Sequence, residues 1–295
     1  MSICNNPQPI IVGCGFLGNH LAAQLVKKQQ NPLCVVQSQS SYQQLLKKNL
    51  QAIICDLDIP LSIDPGFDLA GKQVYYFAPP SNSDNDDHRI DNFLTRCKIN
   101  PPSKVVYIST SGVYGDCQGN WVTEENPLAP ISTRAKRRVY AEKALLTYCA
   151  QHDCDYIILR VGGIYGPGRL PIERLKNITV ICPEEAPHSN RIHVADLACV
   201  CFAAMSNNIQ NEVINVADGH STSMSDYYYK IADFAGLPRP DCVPLSEAEE
   251  KLSAGMLSFI NESRRLSIEK MNRLLDVEIQ FPTLELGLED CFRNS

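Results

Sequence analysis

Short apolar runs alternate with amphipathic stretches through the first half of the chain. The runs are Ile10-Ile11-Val12, Leu33-Cys34-Val35-Val36, Ala52-Ile53-Ile54-Cys55, Val74-Tyr75-Tyr76-Phe77 and Val105-Val106-Tyr107-Ile108. A sixth follows at Tyr156-Ile157-Ile158-Leu159 and a seventh at Val213-Ile214-Asn215-Val216. Runs this short and this continuously apolar suit strands covered on both faces, as in a parallel sheet. Helical patterns fill the gaps, from Leu17 to Lys28, Tyr42 to Lys48, Arg89 to Cys97 and Arg134 to Gln151. Strand and helix in strict alternation predict βαβ units, hence an α/β fold with a doubly wound parallel sheet. After Tyr165 the pattern changes. A Gly166-Pro167-Gly168 break leads into a short segment rich in proline and charge, and helical stretches such as Met224 to Ala235 and Ser267 to Leu275 follow. The expected organisation is a larger domain of residues 1–167 that also receives 191–219. Residues 168–190 and 220–295 then make a smaller, mainly helical C-terminal lobe.

Composition narrows the class without naming a function. The 295 residues can bury a large core, and 44% hydrophobic with 20% charged residues is an ordinary globular balance. With 27 Lys+Arg against 33 Asp+Glu, the formal charge of −6 argues against a nucleic-acid partner. Met1 to Pro9 lacks the basic start and long apolar stretch of a secretory signal, and no apolar run is long enough for a membrane span. The thirteen cysteines are odd in number and scattered, with no CxxC pair. Free thiols in a reducing cytosol fit that spacing better than disulfides or a metal site, so the expectation is a cytoplasmic protein without metal.

Chemistry enters directly after the first apolar run, at Gly13-Cys14-Gly15-Phe16-Leu17-Gly18. A G-x-G-x-x-G between a strand and a helix is the fingerprint of a dinucleotide site. Gly13 permits the tight turn, Gly15 lacks the Cβ that would block a pyrophosphate, and Gly18 lets the helix pack close. The helix start, from Phe16 and Leu17 onward, offers free N–H groups to the phosphates. The second strand ends in Val36-Gln37-Ser38-Gln39-Ser40, where an NAD site usually carries Asp or Glu for the ribose hydroxyl. With no acid there to repel a 2′-phosphate, the cofactor is NADP or NAD with a slight leaning to NADP. Asp56-Leu57 after the third strand can serve the adenine or make a turn. Ala78-Pro79 closes the fourth strand on the same edge.

Three further segments keep a recognisable order: Tyr107-Ile-Ser-Thr-Ser-Gly-Val-Tyr-Gly115, Leu159-Arg-Val-Gly-Gly-Ile-Tyr-Gly-Pro-Gly168 and Arg191-Ile-His-Val-Ala-Asp-Leu-Ala198. Together with the glycine fingerprint they resemble the extended short-chain dehydrogenase/reductases, the NAD-dependent epimerase/dehydratase family. The resemblance implies a Rossmann-type sheet with a substrate lobe, and it puts Gly163 on the cofactor. It also implies a catalytic Ser or Thr, then a Tyr as acid/base, then a Lys four residues on. Thr110 falls on the first of these positions, with Ser111 beside it.

The other two positions depart from the family. Pro130 and Glu142 anchor the register, and between them Arg134 stands at the Tyr position and Arg138 at the Lys position. Arginine stays protonated and cannot cycle as an acid/base, although it binds phosphate, carboxylate or ribose hydroxyl. Tyr140 cannot substitute, since six residues carry it about 9 Å along the helix and about 240° around it. The pattern resembles the atypical, YeeZ-type branch of the superfamily. A solvated basic helix face is the plain alternative for these arginines.

Tyr114 is one candidate for a replacement acid. His193 is another, with a packed core histidine as its alternative. Tyr165 and Arg169 resemble the entrance to the substrate lobe, and Trp121 could stack on a substrate ring or pin its loop. Two functions remain. One is an NAD(P)-dependent epimerase, dehydratase or reductase acting by an atypical mechanism on a nucleotide sugar or another small hydroxyl or carbonyl compound, as a monomer or homodimer. The segment from Gly168 to Asn190 is short for a large nucleotide sugar. The other is a catalytically silent, NAD(P)-binding regulatory protein.

Overall fold

A computed structural model describes residues 7–60, 67–82 and 85–293. Seven strands form the central sheet: β1 (Ile10–Val12), β2 (Leu33–Val36), β3 (Gln51–Ile54), β4 (Gln73–Tyr76), β5 (Lys104–Thr110), β6 (Asp155–Val161) and β7 (Glu212–Val216). Their spatial order is β7-β6-β5-β4-β1-β2-β3, and every neighbouring pair is parallel. All seven apolar runs became strands, and the sheet is the expected α/β Rossmann-type one. The order reverses at β1, which lies between β4 and β2, so the crevice outside the carboxyl ends of β1 and β4 is where such sheets take a ligand.

Helices cover both faces. On one side α1 (Phe16–Lys27) and α5 (Val194–Ser206) pack Leu21, Leu25, Leu197 and Val200 against Ile11, Val106 and Ile157. On the other, α3 (His88–Cys97) and α4 (Thr133–Gln151) pack Phe93, Leu145 and Tyr148 against Ile10, Val74 and Tyr107. Alternate residues of one strand thus feed opposite cores, because successive strand side chains point to opposite faces. α2 (Gln39–Lys47) starts where the Ser38 hydroxyl accepts the Ser41 N–H.

A separate core gathers Tyr165, Leu175, Tyr227, Ile231, Leu284 and Leu288 around α6 (Met224–Ala235) and the C-terminal helix Leu284–Arg293. The C-terminal segment does not stay with it throughout. Met271 and Leu275, on the helix Glu269–Leu275, join the sheet's core beside α5 instead. Two short parallel pairs tie distant segments to the carboxyl edge of the sheet. Arg191–His193 lies along Gly163–Tyr165, and Arg265–Leu266 lies along Trp121–Val122. Among the described residues, no helix is long and apolar enough to cross a membrane, and the cysteines are free thiols, most of them buried.

Candidate functional site

The glycine turn has the geometry its sequence predicts, residue by residue. Gly13 sits at φ +85°, and a Cβ there would stand 2.5 Å from the Ala78 backbone nitrogen. Glycine is therefore required by both backbone conformation and packing. At Gly15 a Cβ would meet only the Gly13 carbonyl oxygen, 4.0 Å away, so the space above this residue is open for a ligand. At Gly18 it would press on Cys14 and Ile11 at 3.2 Å, the close helix–strand approach that the third glycine allows. The first turn of α1 has no side-chain cap, which leaves its N–H groups to whatever lies over Gly15.

Beside the turn, Gln37, Leu57, Ala78, Pro79 and Arg89 border a small cavity of about 80 Å³ on the β1–β2 edge. Gln37 Nε2 donates to Asp56 Oδ1 at 3.0 Å and to Asp58 Oδ2 at 3.4 Å. Arg89 makes a two-pronged bond to Asp58 at 2.6 and 2.7 Å and also donates to the Pro79 carbonyl. That pairing holds the Asp58 carboxyl below its ordinary range. Asp56 Oδ1 also accepts the Asp58 N–H, as an Asp in a turn does. Ser38 faces its own helix rather than this cavity, bonded to Ser41. The residues present fit an adenine dinucleotide: an uncapped helix start, an open Gly15 and an apolar slot.

A larger cavity, about 400 Å³, opens next to the carboxyl end of β5. Thr110, Ser111, Arg134, Gly163 and Arg169 line it, which brings five of the expected site residues together. Arg169 also lies over the Phe16 ring, 4.9 Å from its centroid, so one guanidinium belongs to both the cavity and the glycine turn. Thr110 Oγ1 accepts the Gly112 N–H at 3.2 Å, which leaves its own hydrogen free to donate. Arg134 rests on the Phe259 ring at 4.8 Å.

Arg138 is elsewhere. Its guanidinium donates to the Tyr107 hydroxyl at 3.0 Å and the Ile108 carbonyl at 2.9 Å, holding α4 against β5. The longer arginine side chain reaches past the lysine position into the strand, so it has no part in the cavity.

Four expected residues are corrected by the fold. Tyr114 is 1% exposed; its hydroxyl donates to Asn215 and accepts from Arg160, and burial pushes its pKa up to about 12. It belongs to a buried network in which Arg160 pairs with Glu142 at 2.8 Å and Ser109 bonds the same carboxylate. His193 is likewise buried: Nδ1 accepts the Ala195 N–H as the cap of α5, Nε2 lies 3.5 Å from Asp290, and burial lowers its pKa to about 4. Tyr165 packs edge-on against His193 and on Gly287, away from the cavity. Trp121 is exposed and covered on one side by Arg265 rather than facing the cavity. In each case the apolar body of the side chain was more useful in a core or on a strand than its polar atom was in the cleft.

Sequence reasoning missed Arg191, Glu262 and Arg264, which share the cavity wall. Arg191 lies 3.5 Å from the Tyr227 ring centroid, and burial lowers its pKa. Arg264 donates to the Gly115 carbonyl at 2.6 Å and to Glu262 at 3.0 Å. Arg191 Nε, Arg264 Nε and Glu262 Oε1 are buried without a hydrogen-bond partner. Orphaned polar atoms on one wall are costly unless a ligand satisfies them. Arg191 could have been noticed inside the Arg191-Ile-His-Val segment. Nothing in the sequence signals that 262 and 264 return to the cavity. Four arginines against one carboxylate suit an anionic ligand.

Residues 10–217 match the family model of the NAD dependent epimerase/dehydratase family. The chain is 22% identical over 240 residues to a putative UDP-glucose 4-epimerase of Methanocaldococcus jannaschii, covering 73% of this chain and 78% of that one. It is 25% identical over 178 residues to a putative UDP-arabinose 4-epimerase 4 of Arabidopsis thaliana, but spans only 40% of that protein's length. A functionally unknown conserved protein of Silicibacter pomeroyi has a solved structure that superposes with a TM-score of 0.82, at 26% identity and over 97% of this chain and 98% of that one.

Proposed function

The chain belongs to the NAD dependent epimerase/dehydratase family, and from that premise we propose that it is an enzyme oxidising and reducing a small hydroxyl or carbonyl compound that carries a negative charge. A nucleotide sugar is the first candidate, because matched relatives bear the names of UDP-sugar epimerases and dTDP-glucose dehydratases. The observation that carries the reading is Arg169, shared between the glycine turn and a 400 Å³ cavity that also holds Thr110 and three further arginines. The bound dinucleotide would supply the hydride acceptor and donor. Gly15 and the start of α1 would hold its phosphates, Leu57 and Ala78 its adenine end, and Thr110 would donate to the substrate oxygen. Arg134 and Arg191 would fix the anionic group.

NAD is the expected cofactor rather than NADP. The lack of an acid at 37–40 inclines towards NADP, but the fold gathers the carboxylates of Asp56 and Asp58 at Gln37, and Asp58 already engages Arg89. Negative charge at this edge repels a 2′-phosphate. In a calorimetric titration NADH binds more tightly than NADPH; the reverse order would return the reading to NADP. Conversion is tested with NAD and UDP-glucose, UDP-glucuronic acid or UDP-N-acetylglucosamine, followed by proton NMR. No binding of the dinucleotide would overturn the reading entirely.

Arginine at both usual catalytic positions, with Arg138 committed to Tyr107 and Ile108, favours a second reading. On it the chain belongs with the atypical, YeeZ-type members of the superfamily and senses the dinucleotide without turning anything over. Tight NADH binding without conversion of any of these sugars is its signature.

A further inference from the structure

Glu262 reaches the cavity from a segment that lies far from the family's motifs. It sits in the turn between the helix Ala254–Ile260 and the strand Arg265–Leu266, and it is 7% exposed. Its two oxygens have different fates. Oε2 accepts from Arg264 Nη2 at 3.0 Å, and Arg264 is itself anchored on the Gly115 carbonyl. Oε1 is buried with no partner, in a residue that lines the cavity together with Thr110, Ser111 and Arg134.

The location is specific. A Cβ built on Gly112 would stand 3.6 Å from Glu262 Oε2 and 3.5 Å from the Ala135 Cβ. Ala135 follows Arg134, the position from which other family members would present their tyrosine. Glu262 therefore approaches, from the C-terminal segment, the same corner that α4 no longer supplies with a proton-transfer group. Neither arginine there can cycle a proton, Tyr114 and His193 are committed to buried contacts, and a carboxylate can cycle one.

We propose that Glu262 is the catalytic acid/base of this site, a role that rests on the cavity being where the reacting substrate binds. In the oxidative direction the substrate's O–H bond breaks and its proton passes to the Glu262 carboxylate. The carbinol C–H pair leaves as hydride to the nicotinamide dinucleotide, and the C–O bond becomes C=O. The reverse step returns the proton and the hydride, on either face of the carbon. Thr110 donates its hydroxyl hydrogen to the same substrate oxygen. Arg264 holds Oε2 at 3.0 Å and so fixes the orientation of the carboxylate.

The test compares wild type with Glu262→Gln, which keeps the shape and the bond from Arg264 but cannot take a proton. Both full-length chains are loaded with NAD and given UDP-glucose, UDP-glucuronic acid or UDP-N-acetylglucosamine. A general acid/base contributes roughly 10²–10⁴ in rate, so Glu262→Gln loses at least about a hundredfold in kcat while calorimetric NAD affinity and Tm stay near wild type. The pH profile of kcat/KM loses its acidic limb. The charged and titratable groups that line the cavity with Glu262 are Arg134 from α4, Arg169, His188, Arg191, and Arg264 on its own segment. Of these the arginines stay charged throughout, and His188→Gln keeps the limb. A second readout is infrared: a carboxylic-acid C=O band appears in the wild type as bound NAD is reduced and is missing in Glu262→Gln. Should Glu262→Gln fold poorly, Glu262→Asp withdraws the acid by one methylene and still lowers kcat markedly at unchanged NAD affinity. Full turnover in either variant, or no infrared difference between wild type and Glu262→Gln, overturns the role of Glu262 and leaves the proposed function standing. A wild type that binds NAD but converts none of the sugars overturns the function itself, and the role of Glu262 with it.

Discussion

The glycine turn and the arginine-lined cavity meet at Arg169, yet they are built in opposite ways. The turn is one contiguous segment, Ile10 to Gly18, in which Gly13 and Gly18 answer close steric contacts and Gly15 leaves open space. The cavity is assembled from pieces near residues 110, 134, 163, 169, 190, 224 and 262. Its chemistry depends on which of many polar side chains the tertiary packing leaves turned inward. Local demands tolerate little change, whereas an assembled wall draws its polar side chains from many segments. That difference separates the reach of a motif from the reach of a fold.

The sharpest way to break the comparison is within the turn itself. Gly15→Val leaves the protein folded, because only open space surrounds its Cβ, but abolishes dinucleotide binding in calorimetry. Gly13→Val loses the fold, since its Cβ would collide with the Ala78 backbone at a positive φ. If Gly15→Val binds NADH normally, the turn is not a phosphate site.

Next in size is the buried network behind the cavity. Glu142→Gln leaves Arg160 without its ion-pair partner and costs about 3–5 kcal/mol in denaturant unfolding. Dinucleotide affinity of the folded fraction stays unchanged. A smaller loss, about 1–3 kcal/mol, is expected for Arg138→Leu, which orphans the Tyr107 hydroxyl and the Ile108 carbonyl. Weakened NADH binding in Arg138→Leu would show that this arginine still serves the ribose, and would bring the two regions closer together.

The smallest effect is a pH dependence in which two buried groups oppose each other. Burial lowers the His193 pKa to about 4, so the folded state binds fewer protons than the unfolded one between pH 4 and 6.5. Its contribution to stability is fully present above 6.5 and is lost as pH falls towards 4. Burial raises the Asp218 pKa to about 7, so the folded state binds more protons between about pH 4 and 7. That contribution is present below 4 and is lost as pH rises to 7. The two slopes, each up to about 1.4 kcal/mol per pH unit, nearly cancel over pH 4–6.5. His193→Gln unmasks the falling slope of Asp218 in urea melts, and an unchanged pH profile would mean that His193 titrates normally.

The sequence by itself determined the strands, their parallel arrangement and the glycine turn. Apolar runs such as Val105 to Ile108 have few other places to go in a folded chain, and Gly13, Gly15 and Gly18 lie within one six-residue segment. With Pro130 and Glu142 as anchors, the resemblance expects the usual pair where the sequence has Arg134 and Arg138. Only the tertiary structure decided which polar side chains face the cavity. Tyr114, Tyr165 and His193 carry groups fit for catalysis, but each gains more by burying its ring in a core, and the hydrogen bonds of Tyr114 and His193 close inside that core. Arg191, Glu262 and Arg264 look like ordinary surface charges in the sequence, and Glu262 lies some 150 residues after Thr110. The parallel pairing of Arg265–Leu266 with Trp121–Val122 brings that segment back to the sheet's carboxyl edge. A pairing between strands two residues long leaves almost no hydrophobic pattern to read, since the energy that selects it comes from contacts formed only once the rest of the chain has folded.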